Sequence, residues 1–289
     1  MYCPPTILSA IDRQSASFSL ADNLTDRDRA VLANVDRYGF LTTKQIERLH
    51  FTTYSSPQVT ARVCRRDLKR LRDHRLLEPL QRRIGGLRAG SASYVWRLGS
   101  AGDKLRRLAE PDTARARRKE PSWRFLDHRL AVAEVACQLT EADRADQIEL
   151  VVVAPEPDSW RHYSDGYGNT ETLKPDLFAV TAEGDYEDHW FIEVDRDTES
   201  LPTVLGQCEQ YERYRRSGSE QATTGLFPRV LWLVPDEHRA ARLIESIRER
   251  QTLDTGLYRS PPKTGCSGQS QLTRKEVQMH DNSTERGYS

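Results

Sequence analysis

Lys174-Pro175-Asp176-Leu177-Phe178-Ala179-Val180, followed by Trp190-Phe191-Ile192-Glu193-Val194-Asp195, decides how the second half of this chain folds. Each stretch is an apolar run of strand length, too short for a helix, with carboxylates at its end. Asp176 follows Pro175 at the head of the first strand. Glu193 and Asp195 alternate with Ile192 and Val194, so the period of two puts both acids on one face. Left unpaired and buried, such acids would be costly. Two carboxylates at the ends of adjacent strands are also the hard oxygen donors that a divalent cation takes.

Outward from these strands the pattern is regular. His128 to Glu141 reads as an amphipathic helix that carries Glu134. Ile148 to Val153 is a continuous apolar run, which predicts a buried strand. Val204 to Arg216 predicts a helix with Gln207 and Tyr211 one turn apart on one face. Val230 to Val234 predicts another strand, and Asp236 to Arg250 another helix. The run from Asp158 to Gly168 reads as an aromatic and polar loop, a mobile hairpin rather than a DNA contact, and Trp123, Trp160, Trp190 and Trp232 read as core. The expected order is α-β-β-β-α-β-α, a mixed sheet flanked by helices.

The first half has the opposite charge. Residues 55–119 carry 18 Lys and Arg against 6 Asp and Glu, whereas residues 141–200 carry 4 against 17. The overall balance of 43 against 43 hides this asymmetry. Thr25 with Asp28, then Thr42 with Gln45, are capping-box pairs ahead of apolar runs, and Gly39 stops the first helix. Ser56-Pro57 opens a third helix with Pro at its first position. Its apolar stripe is Val59, Val63, Leu68 and Leu71. Its other face carries Gln58, Arg62, Arg65, Arg66 and Lys69. A strand-like Leu76 to Leu80, a Gly-rich basic turn with Arg82, Arg83 and Arg88, and a second strand from Tyr94 to Leu98 follow. Helix–helix–helix–strand–turn–strand is the order of a winged helix-turn-helix with the third helix as groove reader. Arg and Lys neutralise phosphates, while Gln and Arg can also bond base edges.

These signals divide the chain into a flexible lead-in (1–23), a winged-helix domain (24–110), a charged linker (111–122), an α/β (α+β) domain (123–250) and a polar, disordered tail (251–289). Five scattered cysteines without a CxxC pair point to neither a zinc site nor a disulfide framework. The seven histidines have no metal-ligand spacing. No apolar run approaches the length of a membrane span, and the first residues lack the pattern of a secretory signal, so the expected compartment is the cytoplasm.

Pro175-Asp176, Glu193-x-Asp195 and Gln207-x-x-x-Tyr211 together resemble the PD-(D/E)xK nuclease superfamily. Over about residues 25–250, the winged helix, the segment Glu193-Val194-Asp195-Arg196-Asp197-Thr198-Glu199-Ser200 and the following Tyr- and Arg-rich helix resemble the replication-relaxation family of actinobacterial plasmids and integrative elements. The resemblance implies a restriction-endonuclease-like sheet and a role in replication initiation or DNA relaxation. It implies double-stranded DNA as partner, with other replication or conjugation proteins and no membrane. Asp176 and Glu193 would hold Mg2+ or Mn2+, with Glu134 and Asp195 supporting them and Gln207 and Tyr211 orienting phosphate or water. One departure stands out. The superfamily's motif lysine is absent, and Asp195 occupies its place. Lys174, Arg196 and Arg213 are the nearby basic candidates. A metal-dependent nickase and a non-catalytic winged-helix regulator or accessory factor with a degenerate nuclease fold both remain open.

Overall fold

The computed structural model describes residues 23–84, 93–111 and 119–260. Among them are eight helices and three sheets, a mixed α/β architecture. The chain separates into two compact units, divided between Ala133 and Glu134. The lead-in up to residue 22, the linker stretch 112–118, the turn 85–92 that holds Arg88, and the tail from 261 lie outside the described residues.

In the first unit, α1 (Asp26–Tyr38) begins where Thr25 and Asp28 cap one another. The Asp28 amide donates to Thr25 Oγ1 at 3.1 Å and the Thr25 amide donates to Asp28 Oδ2 at 3.0 Å. Two amides of the first turn are thereby satisfied. The helix ends at Gly39, whose φ of +76° is a conformation that side chains disfavour. β1 (Leu41–Thr42) leads into α2 (Thr43–His50), which repeats the capping box with Thr42 and Gln45. Gln45 also reaches across the unit, its Nε2 donating to Leu130 O at 3.0 Å on α5 (Trp123–Arg144). α3 (Pro57–Asp73) is capped by Ser56 with Pro57 in its first turn. β2 (Leu77–Ile84), β3 (Ser93–Leu98) and β1 form an antiparallel sheet in the order β1-β3-β2, and α4 (Ser100–Ala109) follows.

The buried stripe of α3 differs from the expected one. Its buried residues are Cys64, Asp67, Leu68 and Leu71, while Val59 and Val63 are only half-buried. The core therefore meets α3 from about its second turn onward, and its first turns stand outside the packed face. Asp28 fixes the helix from the side: Arg70 Nη2 donates to Asp28 Oδ1 at 2.7 Å.

The second unit is built on a five-stranded sheet in the order β10-β9-β8-β7-β4. Its strands are β4 (Glu149–Pro155), β7 (Leu177–Glu183), β8 (Tyr186–Val194), β9 (Arg229–Leu233) and β10 (Tyr258–Arg259). β4, β7 and β8 pair antiparallel, and β8, β9 and β10 pair parallel. β5 (Arg161–Ser164) and β6 (Thr170–Leu173) form a separate hairpin between β4 and β7. The Asp158–Gly168 run holds the first strand and the turn of this hairpin, in line with the hairpin reading of that stretch. Its tip is tied by Asp165, whose Oδ1 accepts from the Tyr167 and Asn169 amides at 2.8 Å each. One core joins Phe191, Val230 and Trp232 of the sheet to Val204, Cys208, Tyr211 and Tyr214 of α6 (Leu201–Ser217). Leu243 and Ile247 of α8 (Glu237–Glu249) complete it, and α7 (Ser219–Thr224) connects α6 to β9.

Three expectations are corrected. The Ile148–Val153 run forms a strand, but not a buried one: Val151 and Val152 are 48% and 38% exposed. Among the described residues β4 is an edge strand that pairs with β7 alone, and an unbroken apolar run does not distinguish an edge from a centre. Residues 251–260, expected in the polar tail, pack into the unit, because Leu253, Leu257 and Tyr258 are buried in the core and β10 extends the sheet. Trp190 and Trp232 are core, but Trp123, at the start of α5, is half exposed.

The Asp28 carboxyl is pushed up by burial, yet donation from Arg70 and from the amide and hydroxyl-capped turn at Thr25 outweighs this and holds it below the ordinary carboxylate range. A lowered folded-state value means that its stabilisation is present above the ordinary range and is lost as pH falls through the lowered value. Asp28→Asn is expected to cost about 1–3 kcal/mol at neutral pH. In denaturant titrations the gap between wild type and variant should close as the pH falls toward about 3; a gap independent of pH would refute the charged bond to Arg70.

Candidate functional site

The β7–β8 register places the two key acids side by side. Leu177 pairs with Ile192, so Asp176 and Glu193 stand one rung further, at the end of both strands. Pro175 is held in place by the buried Ser159, whose Oγ donates to Pro175 O at 2.5 Å. Asp176 Oδ2 accepts from the Val194 amide at 2.7 Å, which ties the head of β7 to the end of β8. Tyr211, buried on α6, donates from its hydroxyl to Glu193 Oε1 at 2.5 Å. Gln207 lies one turn earlier on α6, and among the described residues its buried Oε1 has no hydrogen-bond partner. Asp176, Glu193 and Tyr211 thus meet, with Gln207 beside them on the same helix.

The electrostatics of this cluster are lopsided. Burial first, and the Asp176 charge second, push the Glu193 carboxyl well above its ordinary value; donation from Tyr211 pulls it back only in part. Burial and the Glu193 charge raise the Tyr211 phenol well above its ordinary value, so it stays a donor. Burial likewise pushes the neighbouring Cys208 thiol up to about 12, which keeps it protonated.

Asp195 does not join this pair. It lies just past Val194, the last residue of β8, and the strand alternation no longer sets its direction. Its Oδ2 accepts from Arg239 Nε at 2.8 Å, and its Oδ1 accepts from the Asp197 amide at 2.7 Å. Arg239 is buried on α8, and its Nη2 donates to Glu199 O at 2.8 Å. One guanidinium therefore shapes the loop between β8 and α6. The basic candidates expected near the motif have these surroundings. Lys174 Nζ sits 4.6 Å over the Trp160 ring, Arg213 lies beside the Tyr163 hydroxyl, and Arg196 is exposed. Glu134 is half-buried on α5. Among the described residues no group of three His, Cys, Asp or Glu side chains is placed to hold a metal ion, so Glu134 does not complete a three-acid set with Asp176 and Glu193. The signal for Arg239 was available in the sequence: a lone Arg in register with Ala240, Leu243 and Ile247, the buried face of α8. A charge on an apolar face must be paired.

On the first unit, Gln58, Arg62, Arg65, Arg66 and Lys69 are all exposed along α3. Arg82 and Arg83 belong to β2 by their backbone, and Arg88 lies outside the described residues.

The chain forms a helical unit with a small antiparallel sheet and a mixed-sheet unit, and its residues 32–230 match the family described as replication-relaxation. The chain belongs to the replication-relaxation family, which supports a role in replication or relaxation of mobile elements. No curated protein and no solved structure matches it. Arg239 lies beyond the matched residues. No helix of the described residues is long and apolar enough to cross a membrane.

Two outcomes follow from these charges. Because the folded-state value of Glu193 is raised, the protein is at full advantage below the ordinary carboxylate range and loses stability as pH rises from there through the raised value. Glu193→Gln removes this loss and still accepts from Tyr211, so its melting temperature should exceed that of wild type by a margin that grows between about pH 4 and pH 8. A constant margin would contradict the raised value. Arg239→Ala leaves a buried charge unpaired and should cost about 3–5 kcal/mol in urea denaturation. Adding Asp195→Asn should recover part of that cost; no recovery would mean that Arg239 acts through other contacts.

Proposed function

We propose that this protein binds double-stranded DNA of a mobile element through a winged helix in its first unit and nicks it with the Asp176–Glu193 site of a PD-(D/E)xK-type second unit. The observation that carries the binding half is the exposed row of Gln58, Arg62, Arg65, Arg66 and Lys69 on α3, the third helix, ahead of the antiparallel β2–β3 pair. Each phosphate neutralised by such a side chain contributes about one unit to the salt dependence of binding. Family membership supports the same assignment.

For the nicking half, Asp176 and Glu193 offer a divalent cation two adjacent carboxylates, with no third His, Cys, Asp or Glu placed to hold the ion with them among the described residues. The Glu193 value is raised by burial first and by the Asp176 charge second, and a cation between the two carboxylates would offset both. Mg2+ or Mn2+ held by Asp176 and Glu193 would supply an activated water and neutralise charge on the scissile phosphate. Tyr211 holds the Glu193 carboxyl in place, and Gln207 has an acceptor free to orient a water or an amide-bearing group. Other replication or conjugation proteins are the natural partners of such a protein at its DNA site.

A second reading, a DNA-binding accessory factor that does not cleave, is favoured by one observation. Asp195 stands where the superfamily's lysine would be, and it is engaged by Arg239 instead of offering a cation to the phosphate. The two readings separate on supercoiled plasmid incubated with millimolar Mg2+ or Mn2+. Wild type should yield open circles, and Asp176→Asn should not. Salt-dependent binding without open circles would leave the accessory reading; no binding at all would remove both.

A further inference from the structure

The basic side chains of α3 fall into two groups that differ in their electrostatic state. In the C-terminal half every cation has an acid. Arg66 Nη2 lies 3.0 Å from Asp67 Oδ1, and Lys69 Nζ lies 2.7 Å from Asp73 Oδ2. Arg70 Nη2 lies 2.7 Å from Asp28 Oδ1, and Arg72 Nη2 lies 3.2 Å from Asp73 Oδ1. In the N-terminal half the exposed Gln58, Arg62 and Arg65 have no ion pair and no side-chain hydrogen bond among the described residues. These three positions are four and three residues apart, so they share one helical face. They also precede or flank Cys64, where the buried face of α3 begins, so this end of the helix stands clear of the core.

We infer that α3 reads base edges with its first turns through Gln58, Arg62 and Arg65, and that Arg66 and Lys69 play no part in sequence selection. The inference rests on the DNA-binding reading above. An unpaired guanidinium can turn both of its forked donors to O6 and N7 of a guanine, and an unpaired carboxamide can do the same for N6 and N7 of an adenine. A cation already shared with Asp67 or Asp73 has spent donors on its partner, and the partner's negative charge repels the phosphates beside it. The spacing adds a geometric expectation. Arg62 and Arg65 are about 4.5 Å apart along the helix axis, comparable to the rise of about 3.4 Å per base pair, so their targets are neighbouring base pairs. The favoured site is therefore a duplex with adjacent guanines and an adenine close by.

The test uses the full chain and a library of duplexes with a randomised core. Wild type and the variants Gln58→Ala, Arg62→Ala, Arg65→Ala, Arg62→Lys, Arg66→Ala and Lys69→Ala are each put through binding selection. Each is then titrated on the duplex selected by wild type and on an unselected one. Arg62→Ala and Arg65→Ala should each relax one guanine position and lose about 5- to 150-fold on the selected duplex. Arg62→Lys should lose the same discrimination while keeping its affinity for the unselected duplex, because the charge remains and the fork is gone. Arg66→Ala and Lys69→Ala should leave the selected sequence unchanged. Altered selection in Arg66→Ala or Lys69→Ala, with unchanged selection in Arg62→Ala and Arg65→Ala, overturns the assignment, as does wild-type binding without any sequence preference. If wild type binds no duplex at all, the DNA-binding reading itself fails and takes this inference with it. All five side chains are exposed, so melting curves superimposable on wild type are expected and serve as the folding control.

Discussion

A carboxylate taken out of water must find donors or give up its charge, and this protein's long-range architecture is largely an answer to that constraint. Asp28 is buried and joins α1 to α3 through Arg70. Asp195 joins the β8–α6 loop to α8 through Arg239. Glu212 accepts from Arg215 and from the Asp254 amide, which straps the 251–260 segment onto α6. Glu220 accepts from Arg161 and Tyr214, which ties α7 to the β5–β6 hairpin. Each acid links segments that packing alone would join without a fixed register. Removing one partner from such a pair is far more damaging than the pair's net stabilisation suggests, because the other charge stays buried.

Glu193 is the exception that marks the candidate site. Its donor is a neutral phenol, and after burial the strongest influence on it is the charge of another acid, Asp176. The strand register forces this arrangement, since Asp176 and Glu193 must meet if Leu177 pairs with Ile192. Where two strands and a helix converge, a buried carboxyl beside a second acid has a raised value, the kind of perturbation that marks a candidate site. Asp195, two residues along, shows the opposite outcome from the same local sequence: full compensation and a structural role.

The same accounting applies to α3. Its exposed cations look equivalent along the sequence, but acids one or four residues away neutralise those in the second half and not those in the first. Burial follows the same gradient, from half-buried Val59 and Val63 to buried Leu68 and Leu71. Charge state and protrusion thus favour the same end of the helix.

By itself the sequence determined what depends on neighbours in the chain. Capping boxes at Thr25–Asp28 and Thr42–Gln45, the Ser56-Pro57 start of α3, the strands around Asp176 and Glu193, and the one-turn spacing of Gln207 and Tyr211 are all local patterns, and all appear in the structure. What tertiary structure decided involves partners far away in sequence. The Ile148–Val153 run became an edge strand because, among the described residues, no further strand pairs beyond it. Polar residues 251–260 were drawn into the core by three apolar side chains among them. Asp195 turned from its neighbour Glu193 toward Arg239, 44 residues later. An alternating strand pattern specifies a face, but only the packed fold specifies which charge waits on it.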